Sequence, residues 1–178
     1  MTLVHGRRPA APTSAVSRRL IAMVAACVLG APCTTWAAIS FQLTIAPSSI
    51  SFSDANPTTT PTIAANSTVA VALRVSGAGS TQAWSVQALA AGDLVSGGNS
   101  IGISNVSWTV SGPSGGTCLR PCSCYAGTVS KVTSQVIFNG TANTNNSPAC
   151  TQTYTLVNSW PYAVGSYSQT VTITATSP

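Results

Sequence analysis

Few side chains in this sequence can do acid–base or nucleophilic chemistry. The single histidine is His5, there is no glutamate, and the only aspartates are Asp54 and Asp93. A Ser–His–Asp or Cys–His site therefore cannot be built without the first residues of the chain. A Ser–Lys dyad on Lys131 and a carboxylate pair of the two aspartates are the weaker alternatives, because Asp is common in turns for structural reasons. The sequence predicts no enzyme, no catalytic residue and no cofactor.

The cysteines are the second group of reactive side chains, and four of the six lie beyond residue 37. In an exported chain an even number of cysteines predicts disulfides, and four cysteines allow three pairings. A zinc site is the weaker alternative, since the spacing is not a usual one for zinc and no histidine is nearby; no metal is predicted. Redox activity is also disfavoured, because no C-x-x-C is present. The preferred pairing is Cys118 with Cys122 and Cys124 with Cys150.

Aromatic side chains offer a different possibility, the binding of polysaccharide. Trp84 and Trp108 lie at the apolar positions of segments in which apolar and polar residues alternate, which predicts that both are buried. Trp160 and Tyr162 lie between predicted strands and, with Tyr125, are the candidate ligand-binding aromatics. The alternative for Trp160 and Tyr162 is a plug that closes one end of the fold.

Residues 1–37 have the order of a cleaved export signal. A basic stretch ends at Arg18-Arg19, an apolar run spans 20–29, and small residues lead to Ala37. We predict a signal peptide over 1–37 and a secreted, periplasmic or cell-surface location. Lipidation of Cys27 and twin-arginine export stay open as alternatives. No later segment reaches the roughly 18 apolar residues of a membrane span, so no transmembrane span is predicted in the mature chain.

Removal of this leader would also remove most of the charge. The formal net charge is +5, but four of the seven Lys and Arg residues lie in the first nineteen positions. Beyond Ala37 only Arg74, Arg120 and Lys131 oppose the two aspartates. Such a chain has no basic patch for nucleic acid, so no nucleic-acid partner is predicted.

Apolar and polar side chains alternate along residues 38–178, whereas helical periodicity is absent. This alternation is typical of strands with one buried face. Seven to nine strands separated by turns, with Asn139-Gly140 as one tight turn, predict a single antiparallel immunoglobulin-like β-sandwich domain over 38–178. The main apolar stripes are Ile39, Phe41, Leu43 and Ile45; Val69, Val71, Leu73 and Val75; Trp84, Val86 and Ala88; Val106, Trp108 and Val110; Val129, Val132, Val136 and Phe138; and Tyr167, Val171, Ile173 and Ala175.

The last third of the chain carries a family resemblance. Trp160, followed by Gly165-Ser-Tyr167-Ser-Gln-Thr170-Val-Thr, resembles the Trp…Gly-x-Tyr-x-x-Thr-Val-Thr ending of secreted bacterial Ig-like and pilin-like β-sandwich domains. The resemblance implies an exported surface or fibre-associated domain with no catalytic residues to carry over. Two features differ from that pattern: the cysteine cluster at 118–124, and an end at Pro178 without the terminal aromatic strand of chaperone-assembled pilins.

These features predict a non-enzymatic structural or adhesive surface protein of pilus-like or fibre-like type. Few charges would have to be desolvated at its contacts, and edge strands without Lys or Pro are templates for pairing with other chains. The expected partners are further copies or other surface subunits; the alternative function is a secreted carbohydrate-binding module. The first strand is either an ordinary strand of its own sheet or a donor strand for a neighbour, through Ile39, Phe41, Leu43 and Ile45.

Overall fold

Strands account for nearly all the regular structure in the described part of this protein. The computed structural model describes residues 38–163 and 165–178; the predicted leader, its cleavage site and Cys27 lie outside the described residues. Within these residues a single 3-10 turn, Ile103–Asn105, interrupts the strands. The strands are β1 (Ser40–Ala46), β2 (Thr62–Ala64), β3 (Val69–Ser76), β4 (Ala83–Ala90), β5 (Leu94–Ser96), β6 (Asn99–Ile101), β7 (Val106–Ser114), β8 (Thr117–Cys118), β9 (Cys122–Cys124), β10 (Gly127–Thr128), β11 (Gln135–Thr141), β12 (Thr144–Asn145), β13 (Ala149–Val157) and β14 (Val171–Thr176).

The longer strands form two antiparallel sheets. The first sheet has the order β1-β3-β13-β7-β10, with β2 paired to the far half of β13. The second sheet has the order β14-β4-β11-β9. The short strands β8 and β12 form one pair, and β5 and β6 another. The predicted all-β, antiparallel sandwich is confirmed. Across residues 38–163 and 165–178, no helix is long and apolar enough to cross a membrane.

The core lies between the two sheets and contains most residues of the predicted apolar stripes. Along β3, Val71, Leu73 and Val75 have no exposed surface, and the residues between them are half-buried or exposed. This is the consequence of side chains that point alternately to opposite faces of a strand. Trp84 on β4 and Trp108 on β7 are 1% and 2% exposed, so their predicted burial is confirmed.

Each buried tryptophan packs on a glycine of the neighbouring strand. Trp84 is in register with Gly140, and Trp108 with Gly127. A Cβ atom at Gly140 would lie 2.5 Å from Cζ2 of Trp84, and one at Gly127 would lie 2.8 Å from Cζ2 of Trp108. Both indole N–H groups donate to carbonyls, of Ala142 at 2.9 Å and of Tyr125 at 2.8 Å. The two sites therefore use the same arrangement of indole, glycine and carbonyl.

The predicted turn at Asn139-Gly140 is wrong, because both residues lie inside β11. The dipeptide favours a tight turn when nothing else decides its conformation. Here the ring of Trp84 occupies the space in which a side chain at residue 140 would lie. Glycine is required in this strand for close packing, not for a positive φ.

The stripe from Val129 to Phe138 is irregular, as the sequence indicated. A β-bulge between Val136 and Phe138 shifts the register of β11 against β4, and both Ile137 and Phe138 become fully buried. The expectation that Val132 and Val136 belong to this inward stripe is wrong. Val132 lies in the preceding loop and is 81% exposed, and Val136 is 37% exposed at the start of the bulge.

Two disulfides connect the strands near one side of the sandwich. Cys118 is bonded to Cys122, and Cys124 on β9 is bonded to Cys150 on β13. This is the pairing preferred from the sequence. The second bond joins the two sheets through the core, since Cys150 is fully buried.

Removing the Cys124–Cys150 bond is expected to lower stability without abolishing the fold. The bond closes a loop of about 27 residues, which corresponds to about 3.5 kcal/mol in the chain-entropy estimate, against about 2 kcal/mol for the short Cys118–Cys122 loop. The sheets retain a core large enough for a stable domain. Thermal melts of the Cys124→Ala/Cys150→Ala and Cys118→Ala/Cys122→Ala variants should show the larger loss of stability in the first. A room-temperature circular dichroism spectrum of an unfolded chain for either variant would contradict the expectation.

Candidate functional site

Asp93 and Lys131, which belong to the two disfavoured catalytic alternatives, form an ion pair with each other. The other Asp93 carboxylate oxygen accepts the Ile103 N–H at 3.0 Å, and the Asp93 carbonyl accepts the Gln169 side-chain amide at 2.7 Å. The hydrogen bond from Lys131 and the one from the Ile103 amide hold the pKa of Asp93 below its usual range. These contacts connect the Asp93 loop to three other loop segments, those of Ile103, Lys131 and Gln169, which is a structural arrangement.

The stability of the protein is expected to fall when Asp93 is protonated. Its pKa is lower in the folded protein than in the unfolded chain, so this contribution is complete above about pH 4 and is lost as the pH falls through the lowered value. Urea melts between pH 7 and pH 2 measure the loss. The Asp93→Asn variant should show a weaker dependence on pH over the acidic range, with Asp54→Asn as the matched control. An identical dependence in Asp93→Asn and wild type would contradict the assignment.

A second titratable group, Tyr154, lies inside the core beside a buried amide. Burial raises the pKa of Tyr154 to about 12, and its hydroxyl donates to Oε1 of Gln152 at 2.9 Å. Gln152 is fully buried, and its Nε2 has no hydrogen-bond partner among the described residues. Because both groups are enclosed by apolar side chains, they belong to the packing of the core.

The four cysteines of residues 38–178 are all used in disulfides. Over the part of the chain that the structure describes, no three His, Cys, Asp or Glu side chains lie together as a metal site would need. Asp93, Lys131 and the four cysteines therefore have structural partners in this fold, whereas Asp54 lies exposed in the loop after β1.

The candidate ligand-binding aromatics have different environments. Trp160 is 69% exposed and Tyr125 is 42% exposed, whereas Tyr162 is half-buried and packs on the core. Tyr125 lies between β9 and β10 and donates its hydroxyl to Asn139 at 3.2 Å. Among the described residues, the close aromatic pairs lie inside the core and do not connect these three rings. The structure leaves Trp160 as a single exposed ring in the loop before β14.

Two edge strands, β1 and β14, are the remaining candidate site. Each is the last strand of its sheet and has one strand neighbour in the described structure. Neither contains a charged residue or a proline. Natural edge strands are commonly protected by such residues, because a free edge can pair with another chain.

A hydrogen bond between the residue that follows β4 and the residue that precedes β14 shows which residues of β14 bond to β4 and which have free backbone groups. The Ala91 N–H donates to the Thr170 carbonyl at 2.9 Å, so Thr170 faces β4. In an antiparallel pair the direction of the backbone N–H and C=O groups alternates from one residue to the next. The backbone groups of Thr172, Thr174 and Thr176 therefore also face β4. The groups of Val171, Ile173 and Ala175 point away from the sheet.

On β1, as on β14, the residues with inward side chains have backbone groups that point away from the sheet. The Leu73 N–H donates to the Pro148 carbonyl at 3.1 Å, and the Val75 N–H donates to the Thr144 hydroxyl at 2.9 Å. Both amides therefore point away from β1. The β1 residues opposite them in register do not bond to β3, and their backbone groups point away from the sheet. The free groups of β1 belong to Phe41, Leu43 and Ile45.

Strand order places these two edges on the same flank of the sandwich. The Cys124–Cys150 bond ties β9 to the middle of the first sheet, and β9 also packs beside β7. The β9 end of the second sheet therefore lies over the β7–β10 end of the first, and β1 and β14 share the opposite flank. The inward side chains on that flank pack on the core but are only partly buried: Ile39, Phe41, Leu43, Ile45, Val171, Ile173 and Ala175.

The predicted first strand lies in its own sheet, where β1 pairs with β3 over seven residues. Its exchange into a neighbouring chain stays a prediction. The sequence did not predict that β14 would be the open edge of the second sheet. Its signal was present in the uncharged, alternating segment from Thr170 to Thr176, but the open side of a strand cannot be recognised before its neighbours are known.

Comparison with protein-family models, with curated proteins and with solved structures finds no match to the chain. The resemblance to secreted Ig-like and pilin-like domains therefore rests on sequence motifs alone: the ending around Trp160 and Tyr167, and the stretches 43–52 and 103–109. What the structure itself establishes is an antiparallel β-sandwich with two disulfides and two uncharged edge strands on one flank.

Proposed function

We propose that this protein is an exported, non-enzymatic structural or adhesive component of the cell surface, which associates with other subunits through its strand edges. The observation that carries the proposal is the flank formed by β1 and β14. Backbone donors and acceptors are free there, and the apolar side chains beside them are only partly buried. A further strand on this flank would use those backbone groups and cover those side chains.

The low charge of the sandwich supports the same proposal. Residues 38–178 contain three basic and two acidic side chains, and Asp93 and Lys131 already neutralise each other. Close packing of subunits therefore requires little desolvation of charge. The two disulfides support export, because such bonds are typical of secreted and periplasmic proteins.

Immunogold electron microscopy of surface material from the cells that produce the chain tests this proposal. An antibody against residues 38–178 should label repeating structures on the cell surface, and the chain should sediment with them. The matched control is the same preparation from cells that lack the chain. Recovery of the chain only as a monomer in the medium, or only inside the cell, would overturn the proposal.

A second candidate function, binding of polysaccharide, is favoured by the exposure of Trp160. An exposed indole can stack on the apolar face of a sugar, and such rings concentrate binding energy. A polysaccharide pull-down of wild type, Trp160→Ala and Val132→Ala separates this function from the first. Loss of binding in Trp160→Ala alone supports it, since Val132 is the more exposed apolar side chain. Absence of binding by wild type overturns it.

A further inference from the structure

We infer that the partner of the β14 edge is the β14 edge of a second copy of this chain, paired antiparallel about a twofold axis at Ile173. This inference rests on the proposed function and specifies which edge is used and in which register. It makes the interface isologous, with the same residues contributed by both copies.

The phase of the free backbone groups determines the register. In an antiparallel ladder, residues with outward backbone groups must stand opposite residues of the same kind. On β14 these are Val171, Ile173 and Ala175. Full overlap of two copies therefore places Ile173 opposite Ile173 of the second copy and Val171 opposite Ala175. Each of these pairs exchanges two main-chain hydrogen bonds.

The same register pairs every outer threonine of the strand with a threonine of the other copy. Thr172 stands opposite Thr174 of the second copy, and Thr170 stands opposite Thr176. All four side chains are exposed in the described structure. Cross-strand hydroxyl pairs stabilise antiparallel strands, and the described residues already contain two of them. The hydroxyl oxygens of Ser107 and Thr155 lie 3.0 Å apart, and those of Ser85 and Thr176 lie 3.2 Å apart.

The edge at β1 is less complementary to itself. The equivalent register has its axis at Leu43 and places Gln42 opposite Thr44, and Ser40 opposite Ala46. Ala46 has no side-chain hydrogen-bonding group. Arg74, in register with Gln42, also places a positive charge one strand from this edge in each copy. By contrast, no strand of the second sheet contains a charged residue.

Cysteine cross-linking between two single variants tests the register directly. Residues 172 and 174 of different copies would stand about 4.5–5.5 Å apart, within the Cα range of a disulfide. Two residues 172 would be diagonal neighbours at roughly 7–8 Å, outside that range. Under mild oxidation, an equimolar mixture of Thr172→Cys and Thr174→Cys proteins should therefore form a disulfide-linked dimer that neither variant forms alone.

The matched control is Thr109→Cys, an exposed threonine on β7 away from the flank; it should not cross-link with either variant. Sedimentation of the same proteins measures association independently. Association without the mixture-specific cross-link would overturn the β14 inference while the proposed function stands. A monomer at every concentration would overturn both.

Amide hydrogen exchange of the wild-type protein provides a measurement without substitutions. On association, the amides of Val171, Ile173 and Ala175 should lose their fast exchange, whereas those of Thr172 and Thr174 are already bonded to β4 and should change little. Protection of β1 amides instead of β14 amides in the associated protein would overturn the inference.

Discussion

The Trp108→Ala variant is expected to lose about 3–5 kcal/mol of unfolding free energy, the usual cost of deleting a buried large aromatic side chain. Trp108 is 2% exposed, packs against Tyr154 at a centroid distance of 6.0 Å, and donates its indole N–H to the Tyr125 carbonyl. Deletion would leave a cavity between the sheets and remove the indole partner of the Tyr125 carbonyl, between β9 and β10. The melting temperature should fall by an amount on the order of 10 °C.

The matched control is Trp160→Ala, which removes the same side chain from an exposed position. Surface substitutions of this kind usually change stability by less than about 0.5 kcal/mol. Thermal and urea unfolding of both variants are the measurements. If Trp108→Ala unfolds within one or two degrees of wild type, the packing of β7 on the core is not as described.

Gly140→Ala is expected to destabilise the protein although it adds only one methyl group. The new Cβ would lie 2.5 Å from Cζ2 of Trp84 and 2.8 Å from the Cβ of Cys122. Trp84 is anchored by its bond to the Ala142 carbonyl, and Cys122 by its disulfide. Neither neighbour can move freely, so the cost should reach the upper part of the roughly 1–3 kcal/mol range for overpacking.

Gly98→Ala is the matched control, because nothing lies within 4 Å of a Cβ at that position. A rescue variant tests the cause as well as the size of the effect. Gly140→Ala combined with Trp84→Phe should be less destabilised than the sum of the two single changes, since a smaller ring makes room for the methyl group. Simple additivity in urea melts would show that the clash with Trp84 is not the cause.

The strands and the content of the core were largely predictable from local patterns in the sequence. Alternation with a period of two identifies the buried face of a strand whatever its neighbours are, so the burial of Leu73, Trp84 and Trp108 could be predicted. The low charge beyond residue 37 likewise needs no coordinates. The cysteine pairing preferred from the sequence, Cys118 with Cys122 and Cys124 with Cys150, is the one that the structure contains.

Tertiary structure decided what depends on partners distant in the chain. Asn139-Gly140 carries the sequence of a turn, yet the Trp84 ring places Gly140 inside a strand. Lys131 meets Asp93 across 38 residues because two loops reach the same end of the sandwich. The open edges of β1 and β14 could not be predicted, since local sequence determines which face of a strand is apolar, whereas the order of strands in a sheet determines which of them lacks a neighbour.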